Sequence, residues 1–325
     1  MYFAPTEGKA QFTKSEMIAY ARKREFPTSE DQFERWIDYG FIGKGRKKGR
    51  GKGYWSLPQM HLFLKLLQQN QRPDIHPIDL CTIPTWVWLC LGDEADIQIE
   101  QVERVMWTWQ AMQYRHPSLG KTRDVTRKTV EQLASKHPEG KRELIRDLKH
   151  FAKELGYRKP EQRDGDPKDD FFFHLDTVID PQGRKEHNGP QGAALSAEVM
   201  SEYFETDRLA IVTLLEKRPL PRRYWTSARN LLLYERLLYQ QEQPRFAREV
   251  AGKPSAELFR QQTMSDIVTS ACYDLRLVLG SIIRNPTLCD KGEQVEVKTQ
   301  VVISPLLLPD GTHYSYLQMQ GRSKQ

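Results

Sequence analysis

Apolar residues recur at helical spacing in three groups within the first 70 residues of the chain. The groups are Met17, Ile18, Ala21 and Phe26; Phe33, Trp36 and Ile37; and Met60, Phe63, Leu64 and Leu67. Side chains three or four residues apart lie on the same face of a helix. The pattern therefore predicts three short amphipathic helices, each with one apolar face.

Each predicted helix begins with a capping signal. The candidate capping residues are Thr13, Thr28 or Ser29, and Ser56. Glu16 follows Thr13 by three residues, and Gln59 follows Ser56 by three residues, which is the spacing of a capping box. Gly40 stands where a left-handed residue would end the second helix. A short turn separates the first two helices, and this arrangement predicts a helix-turn-helix.

A glycine-rich basic segment separates the second predicted helix from the third. Gly43 to Gly53 contains five glycines and six basic residues, and Tyr54 and Trp55 follow it directly. Glycine lets a chain approach a phosphate backbone closely, and the positive charges of lysine and arginine attract phosphate. We interpret the segment as the wing of a winged helix, and a flexible charged linker is the alternative.

The distribution of charge favours a nucleic-acid contact at this end of the chain. Residues 1 to 72 carry 14 Lys and Arg against 7 Asp and Glu, a net charge of +7. The remaining residues carry 35 against 36, a net charge of −1. An excess of positive charge in one segment is typical of proteins that bind nucleic acid.

Two motifs flank the basic segment. Residues 36 to 42 follow an aromatic-x-x-x-Gly-hydrophobic pattern, and residues 55 to 59 follow an aromatic-Ser-x-x-Gln pattern. With these motifs, residues 12 to 69 resemble the DNA-binding domain of MerR-type regulators and of the related excisionase-like proteins. The resemblance implies a winged helix-turn-helix whose second helix enters the major groove, whose wing holds phosphates and whose dimers read a two-fold operator.

The candidate DNA contacts lie on the helix-turn-helix and on the wing. Gln32 and Arg35 are the predicted base readers of the second helix. Glu34 stands where the family usually has an arginine, and the exposed side of this helix also carries the acidic residues Glu30, Asp31 and Asp38. The complete predicted set is Lys14, Thr28, Ser29, Gln32, Arg35, Lys44, Arg46, Lys47, Lys48, Arg50, Lys52 and Tyr54.

The predicted fold class is mainly α with a minor α+β part, in three regions. Residues 1 to 72 form the winged helix-turn-helix, and residues 73 to 158 form a helical connecting or oligomerisation region. Four closely spaced tryptophans in the second region are expected to pack in a core, and a base-stacking platform is the alternative. A polar linker at 159 to 170 precedes the α+β effector or assembly domain of residues 171 to 325.

The predicted C-terminal domain contains a strand, two helical regions and a hairpin. The strand is expected at residues 171 to 180, and the helical regions at about 195 to 243 and 255 to 284. A turn at residues 309 to 312 joins two segments with the apolar pattern of strands, and this predicts the hairpin.

The chain has four scattered cysteines, Cys81, Cys90, Cys272 and Cys289. Their number and spacing predict buried thiols in a reducing compartment rather than disulfides. A metal site formed by Cys81, Cys90 and His76 is the alternative, but the spacing matches no zinc pattern. The sequence contains no phosphate-binding loop, nucleophile elbow or metallohydrolase helix motif. We therefore predict no metal, no cofactor and no enzymatic activity.

These patterns favour a sequence-specific transcriptional regulator whose partner is double-stranded DNA. The resemblance implies a homodimer. We expect a cytoplasmic protein without membrane contact, because the sequence has no long apolar run and no signal-peptide layout. An unknown small molecule or protein is the expected effector. One alternative is a mobile-element DNA-processing factor, either excisionase-like or a nuclease with Asp290, Glu296 and Lys298 at a metal site. The other alternative is a protein-interaction module.

Overall fold

The computed structural model describes residues 11–47, 53–115, 197–249, 264–301 and 317–323. The described part of the chain is mainly helical, as the apolar pattern predicts. Some predictions lie outside these ranges: the wing tip with Lys48, Arg50 and Lys52, the linker at 159 to 170, the strand at 171 to 180 and the turn at 309 to 312.

The N-terminal elements combine short strands with helices. They are β1 (Gln11–Thr13), α1 (Lys14–Lys23), α2 (Glu30–Asp38), β2 (Arg46–Lys47), β3 (Gly53–Ser56) and α3 (Leu57–Asn70). The three strands form an antiparallel sheet in the order β1-β3-β2. The sequence does not predict β1, because three residues are too few for a recognisable alternation. This strand pairs with β3 so that Phe12 lies opposite Trp55, and both side chains are buried.

Side chains cap the N-termini of the three helices as predicted. Thr13 and Glu16 form the capping box, since the Glu16 carboxylate accepts a hydrogen bond from the Thr13 N–H at 2.8 Å. Ser29, rather than Thr28, caps α2 and accepts from the N–H of Gln32 at 3.1 Å. These caps satisfy N–H groups that have no partner inside the helix. The capping residue of α3 is Ser56.

Gly40 follows α2 in the left-handed region, with φ of +79°, as the sequence predicts. A β-carbon at this position would lie 2.7 Å from the carbonyl oxygen of Gln101 and 2.7 Å from the backbone nitrogen of Val105. Both atoms belong to a helix that packs against this turn. Backbone conformation and space therefore both require glycine here.

The three predicted apolar stripes meet in one core. The ring of Phe33 contacts the rings of Trp55 and Phe63 edge-on, with ring centroids 5.2 and 5.1 Å apart. Met17, Ile18 and Ala21 of α1, the predicted residues of α3, and Phe33 and Trp36 of α2 are buried. Phe26, which lies beyond the end of α1, and Ile37 are only partly buried. α3 buries more than its predicted stripe, because Leu62 and Leu66 also lie in the core.

Helices make up most of the remaining described residues. The elements are α4 (Pro77–Leu80), α5 (Thr82–Leu91), α6 (Ile99–Arg115), α7 (Ala197–Leu215), α8 (Arg222–Glu249), α9 (Met264–Arg284), α10 (Leu288–Gln294), β4 (Val295–Val301) and β5 (Leu317–Ser323). The predicted helical region at 195 to 243 is interrupted between α7 and α8, where Pro219 and Pro221 stand. β4 and β5 pair antiparallel, which confirms the pairing of the predicted hairpin. Within the described ranges, no helix is long and apolar enough to cross a membrane.

The tryptophans and cysteines of these helices lie in the core. Trp86, Trp88 and Trp109 are buried, which confirms the core interpretation for these three. All four cysteines are buried free thiols. Burial raises the pKa of Cys90 and Cys272 to about 12, so both thiols stay protonated at neutral pH. The prediction of buried thiols is therefore confirmed.

Two arginines join helices that are far apart in the sequence. Arg229 of α8 donates from Nε to the carbonyls of Trp88 and Leu89, at 3.1 and 2.9 Å, and so caps the C-terminal end of α5. Arg276 of α9 donates to both carboxylate oxygens of Asp207 of α7, at 2.7 and 2.8 Å. The helices on either side of residues 116 to 196 therefore contact each other directly.

Candidate nucleic-acid interface

The glycine-rich basic segment forms a β-hairpin between α2 and α3. Arg46 pairs with Tyr54, and Lys47 pairs with Gly53, so that the chain reverses between Lys47 and Gly53. Lys44 and Arg46 are exposed, and the Arg46 side chain is 70% exposed. We call residues 43 to 53 the wing from here on. Arg46, Lys47 and Gly53 of the wing therefore belong to paired strands.

Hydrogen bonds hold both backbone groups of Gly43 at the base of the wing. The indole N–H of Trp55 donates to the Gly43 carbonyl at 2.8 Å, and the Gly43 N–H donates to Oε1 of Gln59 at 2.8 Å. Trp55 and Gln59 are both buried. The first residue of the wing is thus fixed by side chains from β3 and α3.

Gln59 also links the wing to α6. Its Nε2 donates to Oε1 of Gln101 at 3.0 Å and to the carbonyl of Asp96 at 2.9 Å. Gln101 in turn donates to the carbonyl of Phe41 at 3.3 Å. The expectation that Gln59 completes a capping box with Ser56 is wrong, because its side chain turns inward and makes these bonds instead.

Replacing Gln59 with leucine should loosen the base of the wing. The substitution leaves the Gly43 N–H and the Asp96 carbonyl without their buried partner, which costs about 1–3 kcal/mol of unfolding free energy. Urea denaturation measures this loss. Gln98→Leu is the matched control, since Gln98 is exposed nearby. Equal effects of the two substitutions would contradict the anchoring role of Gln59.

A cavity of about 150 Å³ lies between the wing and the start of α6. Charged residues of both signs line it: Lys44, Arg46, Asp96, Glu100 and Arg104. Arg46 forms an ion pair with Asp96. Asp96 thus compensates part of the positive charge at the base of the wing, where both Lys44 and Arg46 are exposed.

The surface of α2 is acidic, and Lys14 binds to it. Nζ of Lys14 lies 2.9 Å from the Glu34 carboxylate and 3.0 Å from the Glu30 carboxylate. Hydrogen bonds to Glu34 and to Glu30 raise the pKa of Lys14. A phosphate at Lys14 would therefore compete with two carboxylates. The sequence does not reveal this arrangement, because Lys14 and Glu34 belong to different helices.

The remaining predicted contacts of the helix-turn-helix lie around α2. Arg35 is exposed and Gln32 is partly buried. Thr28 and Ser29 shape the turn, since the Thr28 carbonyl accepts from the Arg22 guanidinium at 3.0 and 3.2 Å and Ser29 caps the helix. Tyr54 is partly buried in β3. The fold thus brings the predicted residues of the helices and of the wing base together in the unit formed by the elements β1 to α3.

The residues of the nuclease alternative lie near the C-terminal hairpin. Asp290 is exposed on α10, and Glu296 and Lys298 stand two residues apart on β4. Within the part of the chain that the structure describes, no group of three or more His, Cys, Asp or Glu residues could hold a metal ion.

No family model matches the chain, and neither the curated proteins nor the solved structures contain a significant match. The resemblance of residues 12 to 69 to the MerR-type domain therefore rests on the sequence motifs and stays a prediction.

Proposed function

We propose that this protein is a sequence-specific DNA-binding transcriptional regulator. Residues 11 to 70 would act as a winged helix-turn-helix, and the helices and hairpin that follow would serve dimerisation, effector binding or partner contact. The order of helix, turn, helix, basic hairpin and helix supports this proposal, because it is the order of a winged helix. The mechanism is occupancy or distortion of DNA rather than catalysis.

The observation that carries the proposal is the wing. It combines six basic residues with glycines, and its base is held by buried hydrogen bonds from Trp55 and Gln59. The base of the wing is thus held in place before any partner binds, and a fixed attachment point lowers the conformational entropy that binding costs.

Because the surface of α2 is acidic, the helix and the wing have different roles in this proposal. Glu30, Asp31, Glu34 and Asp38 are exposed there. Carboxylates repel phosphates, but a carboxylate can accept a hydrogen bond from cytosine N4, and Gln32 and Arg35 can bond adenine and guanine. The wing would thus supply most of the affinity, while α2 would supply base contacts.

Selection from a pool of random duplexes tests sequence specificity. The protein should enrich one motif, and Arg35→Ala should relax the preference at one base pair by about 1–3 kcal/mol. Lys23→Ala is the control, because Lys23 is exposed at the end of α1 outside the predicted contact set. Enrichment of no motif would contradict sequence-specific regulation.

The same acidic surface favours a second function, a protein-interaction module. In this case the exposed carboxylates of α2 would pair with a basic partner, and Lys14 already shows that they bind an ammonium group. Binding to DNA would then be weak and would not depend on the base contacts of Arg35.

A further inference from the structure

A second basic segment spans the turn between α7 and α8 and the first two residues of α8. Residues 217 to 223, which we call the basic loop, contain Lys217, Arg218, Arg222 and Arg223, and all four are exposed. The overall charge of residues 73 to 325 conceals this cluster, since acidic residues elsewhere cancel it. Pro219 and Pro221 within the loop are the local signal that the helix is interrupted here.

Most of the charge of the basic loop is not compensated by neighbouring carboxylates. Glu216 pairs with Arg218 at 2.5 Å. Among the residues that the structure describes, no carboxylate lies within ion-pair distance of Lys217, Arg222 or Arg223. The loop therefore presents three positive charges to solvent over a short stretch of chain.

The helix that anchors the wing also anchors the basic loop. The Leu220 N–H donates to the Glu103 carboxylate of α6 at 3.1 Å, while Gln101 of α6 binds the wing base through Gln59. Gln101 and Glu103 lie within one turn of α6, so that both basic segments are attached to the same part of this helix.

We propose that the basic loop is a second phosphate-binding segment that contacts the same DNA duplex as the wing. The inference rests on the proposed DNA-binding function and extends it to residues of α7 and α8. Phosphate contacts of this kind position a protein on the duplex without reading its sequence. The loop would therefore strengthen binding to all sequences equally.

The test compares salt dependence of duplex affinity among charge variants of the full chain. Fluorescence anisotropy with a labelled 30-base-pair duplex gives the affinity between about 50 and 200 mM salt. Arg222→Gln/Arg223→Gln should reduce the slope of log affinity against log salt by about 2, and affinity at 0.1 M salt should fall roughly 60-fold. Arg222→Lys/Arg223→Lys should keep the slope. The matched control is Arg245→Gln/Arg248→Gln, two exposed arginines about 35 Å further along α8.

The outcomes separate this inference from the proposed function. If the wild type binds DNA and the loop variant keeps its slope, the basic loop has no contact and the inference is wrong. An equal reduction in the Arg245 and Arg248 control would also overturn it, because the effect would then reflect net charge alone. If the wild type binds no duplex, the proposed function fails and the inference fails with it. Thermal melting of the loop variant should match the wild type, since both residues are exposed.

Discussion

The variant Lys47→Gln/Lys48→Gln should bind duplex DNA roughly 60-fold more weakly than the wild type at 0.1 M salt. Each phosphate contact contributes about 0.9 to the slope of log affinity against log salt, so that the loss of two contacts reduces the slope by about 2. Lys47 lies at the end of β2, where the wing enters its tip, and Lys48 follows it in the sequence. Fluorescence anisotropy over a range of salt concentrations measures both quantities.

The control for the wing variant keeps the same change in net charge. Arg245→Gln/Arg248→Gln removes two exposed positive charges from the end of α8, far along the chain from the wing. This variant should keep the wild-type affinity and slope. Unchanged binding by the Lys47 and Lys48 variant would show that the wing does not touch phosphate.

Replacing Arg276 with methionine should cost about 3–5 kcal/mol of unfolding free energy. Arg276 is 6% exposed and donates to both oxygens of Asp207 and to Gln110. Its removal leaves a buried carboxylate without a counter-charge. Burial raises the pKa of Asp207, and Arg276 opposes this shift. Without Arg276 the pKa of Asp207 in the folded state rises further. The loss of unfolding free energy should therefore be smaller at pH 4, where Asp207 is protonated at little cost, than at pH 7.

Urea denaturation of three variants tests this account of the buried ion pair. Arg276→Met/Asp207→Leu should recover much of the stability, because no uncompensated charge remains. Arg72→Ala is the surface control, since Arg72 and Asp74 are 54% and 60% exposed, and it should cost less than about 1 kcal/mol. A similar small cost for Arg276→Met would contradict the structural role of the pair.

Features that depend on neighbouring residues could be predicted from the sequence. Thr13 and Glu16 form their capping box because both groups lie within one helical turn. Gly40 adopts the left-handed conformation that the end of α2 demands. The apolar stripes also follow from local spacing, since the face that is apolar is the face that becomes buried.

Features that depend on distant residues could not be predicted. Gln59 has the spacing of a capping residue, but its side chain binds Gln101, which lies 42 positions away. The charge of Lys14 alone predicts a contact with phosphate. Only the packing of α1 against α2 places Lys14 beside Glu34. Partners of this kind become visible once the tertiary fold is known, because no local pattern encodes them.

The candidate interface depends both on local sequence and on contacts between residues that are distant in the sequence. The wing is evident from composition, since six charges and five glycines occur between two predicted helices. The anchoring of its base depends on Trp55, Gln59 and Gln101, which belong to three different elements. Affinity in this account comes from the charges, and the buried support holds the base of the segment that carries them.

The salt dependence of wild-type affinity for duplex DNA tests the central claim most directly. We expect the logarithm of the affinity to fall linearly with the logarithm of salt concentration, with a slope of about −4 or steeper. Such a slope corresponds to simultaneous phosphate contacts by most of the basic residues of the wing. A slope near zero, or the absence of binding at 50 mM salt, would contradict a DNA-binding role for the wing.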